Sequence, residues 1–376
     1  MKTRVGVIFG GRSGEHEISI RSARTVIEQI DKEKYEVVPI AIDKHGHWLN
    51  SRDSRHMLPE STAGVLQNGT EPAGGAIALI GDTKYKGLTS INSEDGESPT
   101  RLDVVFPVLH GTYGEDGTIQ GLLEMADLPY VGCGVLGSAC GMDKTVMKSL
   151  FQAAGLPMCK YVWFLRSEWD KSPDQVLRRI EDAIGYPAFV KPANLGSSVG
   201  ISLATDEESL SSGIELAAEY DRKIIVEECL DMREIECAVM GNDEPEASLP
   251  GEYIIRDQSK AFLDYTEKYS GTGNNEFVVP APVSDELAAK IREMAIRAFK
   301  AVDGSGLARV DFFLRKDLGT LLVNEINTMP GLTDASGFPK MWAGTGLDFP
   351  RVIDKLIELA FERHAEKARN KTSLEA

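Results

Sequence analysis

The sequence lacks the features that assign a chain to several large classes of protein. It has no run of about 18 apolar residues, so no membrane-spanning helix and no membrane partner are expected. It starts MKTRVGVIFGG and enters a strand without the apolar segment and cleavage site of a secretion signal. Basic residues number 41 against 58 acidic ones, and the net charge of −17 argues against a general nucleic-acid binder.

Cysteine is scarce and shows no pattern. The five cysteines have no CxxC spacing, their number is odd, and they lie in apolar or strand-like surroundings. We therefore expect reduced, buried thiols in a cytoplasmic protein. The cysteines are Cys133, Cys140, Cys159, Cys229 and Cys237.

The chain has ample length and the ordinary composition of a globular protein. Its 376 residues suggest two or three domains, and 42% are hydrophobic. Strands at 4–9 and 35–42 flank a Gly-rich turn and a helix that starts near Glu15, which predicts an α/β domain with ligands at the strand ends. An acid such as Glu15 at a helix start is also explained by the helix dipole alone. Residues 51–100 are rich in turn formers, and we expect a surface elaboration of the first domain.

Two Gly-rich segments follow. The strand 101–109 leads into HGTYGEDGTIQG at 110–121, and a strand followed by a Gly-rich turn often forms a binding site. His110 at the strand end could donate a hydrogen bond to a carboxylate, or it could be a structural histidine with partners inside the protein. The segment GCGVLG at 132–137 matches GxGxxG, but QAAGL at 152–156 supplies no acid about 20 residues further on for a ribose. A dinucleotide site is therefore not indicated. The segment GMDKT is not a Walker A motif either, since GxxxxGK[ST] is absent.

The middle of the chain carries three further candidate segments. Lys191 precedes the Gly/Ser loop NLGSSVGIS at 194–202, which has strands on both sides and suits a flexible cover over phosphates, with a plain hairpin as the alternative. The strand KIIVEE at 223–228 ends in acids that could accept from an adenine amino group and a ribose hydroxyl. The polar loop 256–276 is long enough to be a functional lid.

A hairpin near the C-terminus carries a set of oxygen ligands. Its predicted strands are 308–314 and 320–326. Because alternate side chains of a strand share a face, Glu325 and Asn327 point the same way, and Asp311 faces them from the other strand. Two carboxylates and an amide oxygen suit Mg²⁺ rather than zinc. Arg309 has the spacing to share that face, and an ordinary hairpin with solvated acids is the alternative.

Taken in order, these motifs resemble one known family. The set GGRSGEHEIS, LHGTYGEDGTIQG, MDK, VKPANLGSSVG, the EE…E strand, DYTEKY and ARVDFF…NEINTMPGLTDAS is closely similar to that of the D-alanine–D-alanine ligases of the ATP-grasp superfamily. The resemblance covers nearly the whole chain apart from residues 51–100 and the C-terminal tail.

The resemblance implies an ATP-grasp fold in three domains, α/β overall and α+β in its ATP-binding part. The first is a Rossmann-like domain at 1–132 with the insertion 51–100. A central subdomain at 133–230 and a C-terminal subdomain at 231–376, with the lid 256–276, hold ATP between them. A homodimer is also implied.

The resemblance further implies a site, residue by residue. Asp311, Glu325 and Asn327 match the ligands of two Mg²⁺ ions, which Mn²⁺ can replace, and Glu325 bridges them. The nucleotide-binding positions are Lys144, Lys191, Ser197, Ser198, Glu227, Glu228, Leu230, Glu234, Lys268 and Asn324. Among them Lys144 and Lys191 contact phosphates, and Glu227 and Glu234 match the acids for adenine and ribose.

The same resemblance assigns the amino-acid substrates. Glu15 holds the ammonium of the first D-alanine, and His110 lies near its carboxylate. The carboxylate of the second D-alanine binds at Ser336 and Gly337. The catalytic set is Glu15, Ser197, Tyr269, Arg309 and Gly331, in which Arg309 and the Gly331 N–H stabilise an oxyanion, and Tyr269, beside Lys268 on the lid, hydrogen-bonds Ser197 on closure.

The implied activity is the ATP-dependent joining of two D-alanines through an acyl phosphate, giving ADP and phosphate, for peptidoglycan precursors. A D-alanine–D-lactate ligase is an alternative within the fold, and Tyr269 in EKY favours the amino-acid acceptor. Two alternatives lie outside this chemistry. One is an NAD-dependent oxidoreductase suggested by GCGVLG, and the other is a nucleotide-binding regulatory protein with an inactive site.

Overall fold

The computed structural model describes residues 2–66, 77–90, 100–196, 199–255 and 275–371. No helix within these ranges has both the length and the apolar character needed to cross a membrane. The strands of the described residues are β1 Thr3–Gly10, β2 Tyr35–Ile42, β3 Trp48–Leu49, β4 Ile77–Leu79, β5 Gly87–Ser90, β6 Thr100–Arg101, β7 Val104–Val108, β8 Tyr161–Leu165, β9 Ala188–Pro192, β10 Ser202–Ala204, β11 Lys223–Glu228, β12 Met232–Gly241, β13 Glu246–Ala247, β14 Gly251–Ile255, β15 Asn275–Val278, β16 Gly306–Arg315 and β17 Leu321–Asn327. The helices are α1 His16–Gln29, α2 Ser51–His56, α3 Glu60–Val65, α4 Thr118–Met125, α5 Val135–Met142, α6 Lys144–Ala153, α7 Arg166–Lys171, α8 Pro173–Ala183, α9 Glu207–Tyr220, α10 Asp285–Ala301, α11 Gly337–Thr345 and α12 Phe349–Lys367.

The N-terminal sheet has the predicted βαβ opening. Its strand order is β3-β2-β1-β7, and β1 runs parallel to both β2 and β7. The chain order reverses on the two sides of β1, so the loops after β1 and β7 meet at the carboxyl edge of the sheet. Those loops carry the Gly-rich turn before Glu15 and the segment that begins at His110.

The insertion is more ordered than the sequence predicted. The expected strand fragment is present as β4, but α2, α3 and an antiparallel β4-β5-β6 sheet are also formed. The Ala41 N–H donates to Ser54 Oγ at 2.7 Å, and Ile77 and Leu88 enter a core shared with Ile40. The described part of the insertion is therefore an elaboration of the first domain, as expected, but it also contributes side chains to a core of that domain. These elements are too short for hydrophobic periodicity to reveal them.

The central sheet separates an apolar face from a polar one. Its order is β10-β9-β11-β8 with antiparallel pairing throughout, so strands flank the Gly/Ser loop on both sides as predicted. One face packs Val190 and Val226 beneath α8 and α9. Because side chains alternate along a strand, Lys191 and Glu227 lie on the opposite face. The short helix α7 was not predicted, and neither was α5, which begins within the GCGVLG segment at Val135.

The C-terminal sheet contains the predicted hairpin. Its order is β15-β14-β12-β16-β17, and β13 pairs with β12. Helix α10 and part of α6 cover one face through a core that includes Phe299, Val310 and Val323. The strands β13, β14 and β15 were not predicted, and β15 takes the last two residues of the expected lid 256–276; the lid's residues 256–274 lie outside the described ranges.

The last helix joins the N-terminal core. Val352 and Leu356 of α12 pack in one cluster with Val5 and Phe106 of the first sheet. Arg363 of α12 donates to the Tyr130 carbonyl at 3.0 Å, to Ser305 Oγ at 2.9 Å and to the Gly132 carbonyl. A frayed polar tail was expected after His364, but the last helix continues to Lys367. The four sheets of the described residues fall within the three proposed domains, two of them in the first, and the domain boundaries stay predictions.

All five cysteines are free thiols. Cys133, Cys159 and Cys237 are buried as predicted, whereas Cys140 and Cys229 are partly exposed.

Candidate active site

The β16–β17 hairpin presents its polar side chains on one face. Its register places Asp311 opposite Glu325 and Arg309 opposite Asn327. The next pair joins Phe312 to Val323, so Asn324 is the extra residue of a β-bulge. Such bulges are frequent beside active sites, where they redirect side chains. The predicted grouping of the two acids, the amide and the arginine on one face is confirmed.

Arg309 is held by two acids. Its Nε and Nη2 donate to the two oxygens of Asp311, each at 2.7 Å, which is a bidentate charge-assisted pair. A second carboxylate, Glu236 Oε2, lies 3.4 Å from Arg309 Nε. Glu236 was not among the residues predicted for the site. The signal was available, since Glu236 follows Glu234 by two strand positions and therefore shares its face.

The hairpin oxygens fit a divalent ion that also takes ligands from a substrate. Mg²⁺ is typically bound by one or two carboxylates together with phosphate oxygens and water. Asp311 and Glu325 supply two carboxylates, and Asn327 Oδ1 accepts from the Met329 N–H at 2.9 Å while keeping a second lone pair. No group of three or more His, Cys, Asp or Glu suited to a metal occurs in the part of the chain that the structure describes. This donor set therefore suits an ion that arrives with phosphates.

Helix α6 connects the hairpin with the Gly/Ser loop. Asp143 caps it by accepting from the N–H groups of Thr145 and Val146, and this places Lys144 in the first turn. Lys144 Nζ donates to the Leu195 carbonyl at 2.8 Å and lies 3.7 Å from Glu325 Oε2. A lysine between a Gly-rich loop and a predicted metal ligand is well placed to bind a phosphate.

Glu15 approaches the same loop from the N-terminal sheet. It is the residue before α1, and a Cβ added to Gly196 would lie 2.7 Å from its Oε1. Glu15, Lys144 and Glu325 thus surround one end of the Gly/Ser loop, although they come from three different sheets or helices. The predicted loop residues Ser197 and Ser198 lie outside the described ranges, as do Lys268 and Tyr269.

A buried charge cluster lies on the polar face of the central sheet. Glu227 Oε1 accepts from Lys148 Nζ at 2.7 Å, and Glu227 Oε2 accepts from Lys191 Nζ at 2.6 Å. Burial raises the pKa of Glu227, but the charges of the two lysines outweigh it and hold that pKa well below its usual range. Burial lowers the pKa of Lys148, and the charge of Glu227 more than offsets this and raises it.

This cluster changes the expected picture of Glu227. Glu227 was expected to be an acid open to adenine, whereas both of its oxygens already accept from lysines and the residue is 3% exposed. Each carboxylate oxygen retains a lone pair and can still accept one more hydrogen bond, from fewer directions than a free carboxylate. The contact with adenine therefore stays a prediction. Lys148 was missed altogether. Its signal was its position four residues after Lys144, on the same helix face.

His110 is more enclosed than expected. Its Nδ1 donates to the Met329 carbonyl at 3.0 Å, and its Nε2 lies 3.0 Å from Ser22 Oγ. Burial lowers its pKa, but the hydrogen bond and charge of Glu115 outweigh that and raise the pKa above its ordinary value. Both ring nitrogens therefore have partners within the protein, and the place of His110 near the carboxylate of the first D-alanine stays a prediction.

The turn after the hairpin carries the residues that are predicted to bind the second substrate. Gly331 is buried, and Ser336 immediately precedes α11. Ser336 Oγ accepts from the Thr333 N–H at 3.1 Å and lies 2.7 Å from Thr333 Oγ1, which closes a tight turn at the helix start. A Cβ added to Gly337 would lie 2.6 Å from Glu236 Oε2. The turn therefore lies beside the Glu236 carboxylate, which is close to Arg309.

The remaining nucleotide-binding predictions lie at the junction of β11 and β12. Glu228 Oε1 accepts from the Lys160 N–H at 2.8 Å, Leu230 lies in the connection, and Glu234 is on β12. Glu234 and Glu236 face the hairpin across the β12–β16 pair. The described nucleotide-binding candidates therefore lie on the central sheet, on α6 and on the C-terminal sheet, whereas Glu15 and His110 come from the N-terminal sheet.

Comparison with known proteins agrees with this arrangement. Residues 4–133 match the family model described as D-ala D-ala ligase N-terminus, and residues 150–358 match the model described as D-ala D-ala ligase C-terminus. A D-alanine–D-alanine ligase of Heliobacterium modesticaldum is 47% identical over 372 residues, covering 99% of this chain and 98% of that protein.

Two solved structures extend the comparison. The D-alanine–D-alanine ligase from Coxiella burnetii has a TM-score of 0.80 and 36% identity, covering 98% of both chains. The VanG D-Ala:D-Ser ligase from Enterococcus faecalis has a TM-score of 0.81 and 36% identity, covering 96% of this chain and 100% of that one. With both family models matched in order and relatives aligned from end to end, this chain belongs to the D-alanine–D-alanine ligase family and has its ATP-grasp fold.

Proposed function

We propose that this chain joins two D-alanine molecules into D-alanyl-D-alanine, consuming ATP and releasing ADP and phosphate. The observation that carries the proposal is the position of Lys144, between the Leu195 carbonyl of the Gly/Ser loop and Glu325 of the hairpin. Family membership supports ATP and D-alanine as substrates. The dipeptide would enter the synthesis of peptidoglycan precursors.

The first step is phosphorylation of a carboxylate. A carboxylate oxygen of the first D-alanine attacks the γ-phosphorus, the bond to the ADP oxygen breaks, and an acyl phosphate forms. Lys144 and Lys191 would offset the negative charge of the phosphates. Asp311, Glu325 and Asn327 would hold two divalent ions, proposed as Mg²⁺ with Mn²⁺ as a substitute. When bound, these ions supply electrostatic stabilisation of the phosphoryl oxygens.

The second step forms the amide bond. The neutral amine of the second D-alanine attacks the acyl carbon, the amine loses a proton, and phosphate leaves with its oxygen. Arg309 and the Gly331 N–H would stabilise the tetrahedral oxyanion, while Ser336 and Gly337 would bind the acceptor carboxylate. Support for this arrangement comes from the short turn that joins these residues to the metal-binding hairpin.

Two parts of the proposal concern closure. Glu15 would bind the ammonium of the first D-alanine beside the Gly/Ser loop. An acyl phosphate hydrolyses in open water, so the lid 256–276, with Lys268 and Tyr269, would exclude solvent during turnover. Ser197 and Ser198 would cover the phosphates, with Ser197 accepting the hydrogen bond from Tyr269.

The test is D-alanine-dependent release of ADP. We expect release with D-alanine and none with L-alanine, and NADH should not bind. ADP release that is independent of D-alanine would refute the ligase assignment. Because the VanG relative is titled a D-Ala:D-Ser ligase, D-serine and D-lactate should be tried as acceptors with limiting D-alanine. If the product with D-serine or D-lactate forms faster than D-alanyl-D-alanine, the proposed identity of the second substrate would have to change.

We also propose a cytoplasmic homodimer. The location is supported by the requirement for ATP and by the five free thiols. The dimer is supported by the family resemblance alone. Light scattering of the purified chain tests it, and a monomer at micromolar concentration throughout would contradict it.

A further inference from the structure

Lys148 has no part in the steps proposed above, yet it is among the most enclosed charged groups of the described residues. Its side chain is 1% exposed, and its Nζ lies 2.7 Å from Glu227 Oε1. Fully buried lysines are rare unless they are paired. Lys148 follows Lys144 by one helical turn on α6, so both lysines lie on the same helix face. Lys144 contacts the Gly/Ser loop, and Lys148 contacts Glu227 of the central sheet.

The cluster joins two lysines to one shared carboxylate, and the negative charge of Glu325 also acts on both lysines. One carboxylate, Glu227, is shared by two ammonium groups, those of Lys148 and Lys191. Lys148 also lies 3.7 Å from the Cys159 thiol and 5.4 Å from the centre of the Tyr161 ring. Two opposed donors therefore fix the orientation of the Glu227 carboxylate and keep it ionised.

An ionised, oriented carboxylate discriminates between nucleobases. It can only accept hydrogen bonds, so it suits the 6-amino group of adenine and repels the 6-oxo group of hypoxanthine or guanine. Sites built around a buried hydrogen-bonding group reject analogues that leave it unpaired. Lys191 has three donors, and the bond to Glu227 leaves two for a phosphate.

We propose that Lys148 is a positioning residue for nucleotide selection, which holds Glu227 as a fixed acceptor for the adenine amino group and leaves Lys191 available to phosphate. The inference rests on the proposed use of ATP. It assigns to the helix α6 face a second role, in the choice of base, beside the phosphate role of Lys144.

The central experiment replaces Lys148 with methionine, which keeps the length of the side chain and removes its charge. In Lys148→Met, only one lysine remains to offset the effect of burial, which raises the pKa of Glu227. The Glu227 carboxyl group is then protonated more easily, and in that form it can donate a hydrogen bond to a 6-oxo group. We expect the KM for ATP to rise about 10- to 100-fold, as for loss of one hydrogen bond to a buried charged group. The KM for D-alanine should change little.

Base selectivity is the readout that a purely structural lysine would not alter. The preference for ATP over ITP, as a ratio of kcat/KM, should fall by about 10-fold or more in Lys148→Met. Calorimetric binding of ADP and IDP without D-alanine should show the same loss. This second measurement does not depend on turnover.

The matched control is Lys32→Met. Lys32 is a partly buried lysine at the end of α1, where Nζ donates to the carbonyls of Ile27, Glu28 and Ile30. It is far from the central sheet, so the same substitution should lower stability while leaving the ATP/ITP ratio unchanged. In the double variant Lys148→Met/Glu227→Gln, we expect the selectivity of Glu227→Gln alone, because Lys148 acts through Glu227.

The outcomes separate this inference from the proposed function. Absence of D-alanine-dependent ADP release in the unmodified chain would refute the ligase proposal. An active enzyme whose Lys148→Met variant retains the wild-type ATP/ITP and ADP/IDP ratios would overturn the role of Lys148. If Lys148→Met does not fold, Glu227→Gln is measured in the same way, and an unchanged ATP/ITP ratio there also overturns the inference, because Lys148 is proposed to act through Glu227.

Discussion

Replacement of Arg309 by lysine tests the proposed oxyanion donor most directly. The guanidinium makes two parallel bonds to Asp311, each 2.7 Å long, which a lysine ammonium cannot reproduce. Arg309→Lys keeps the positive charge between Asp311 and Glu236, so the fold should survive. The donor geometry towards the reacting carbonyl is lost, and kcat should fall about 10²- to 10³-fold, as for removal of an oxyanion donor.

Arg309→Ala is a poorer test of chemistry. It would leave Asp311 and Glu236, which are paired across β12 and β16, without the cation that lies between them. Removing one partner of a buried ion pair costs about 3–5 kcal/mol. A loss of activity in this variant would therefore combine unfolding with the missing donor, and the melting temperature must be measured beside kcat.

The chain offers a matched control on the same strand. Arg315 makes the same bidentate contact with Asp317 two residues further on, with Nε and Nη2 donating at 3.0 and 2.7 Å. This pair is at the distal end of β16, so Arg315→Lys should leave kcat unchanged. The assay is ADP release at saturating ATP and D-alanine for both variants. A folded Arg309→Lys enzyme with kcat within about threefold of wild type would remove Arg309 from the chemistry.

Three further predictions follow from the site. Chelation by EDTA should abolish D-alanine-dependent ADP release and added Mg²⁺ should restore it, since the hairpin oxygens suit an ion that enters with phosphates. Because the pKa of His110 is raised in the fold, its contribution to stability should be complete below about pH 6.5 and lost as pH rises through the folded pKa. Glu115→Gln should flatten that dependence in denaturation measured at several pH values. Gly196→Ala would place a Cβ 2.7 Å from Glu15 Oε1, so kcat/KM for D-alanine should fall about 10-fold or more, whereas Gly121→Ala, with no atom within 4 Å, should behave as wild type.

Each of these has a contrary result. Activity that persists in excess EDTA would exclude a divalent ion from the site. An equal pH slope in wild type and Glu115→Gln would mean that another group controls the titration. A Gly196→Ala enzyme with unchanged kcat/KM would show that Glu15 and the Gly/Ser loop need not approach each other during turnover.

Local features of the candidate site could be predicted from the sequence. Side-chain alternation along two adjacent strands was enough to group Asp311 with Glu325 and Asn327, because strand geometry has a period of two residues. The order of the motifs along the chain was enough to indicate the family. Short elements such as α2 and α3 escaped prediction, because a single helical turn or two carries no usable periodicity.

Tertiary structure alone decided which distant side chains meet. The contacts of Glu227 with Lys148 and of Glu236 with Arg309 depend on how α6 packs on the sheets and on β12 pairing with β16. Local hydrophobic periodicity encodes which face of an element is buried, but not which other element covers it. For this reason the sequence determined the chemistry of the site and the faces that present it, whereas the fold decided the charge cluster that holds Glu227 and the burial that engages both nitrogens of His110.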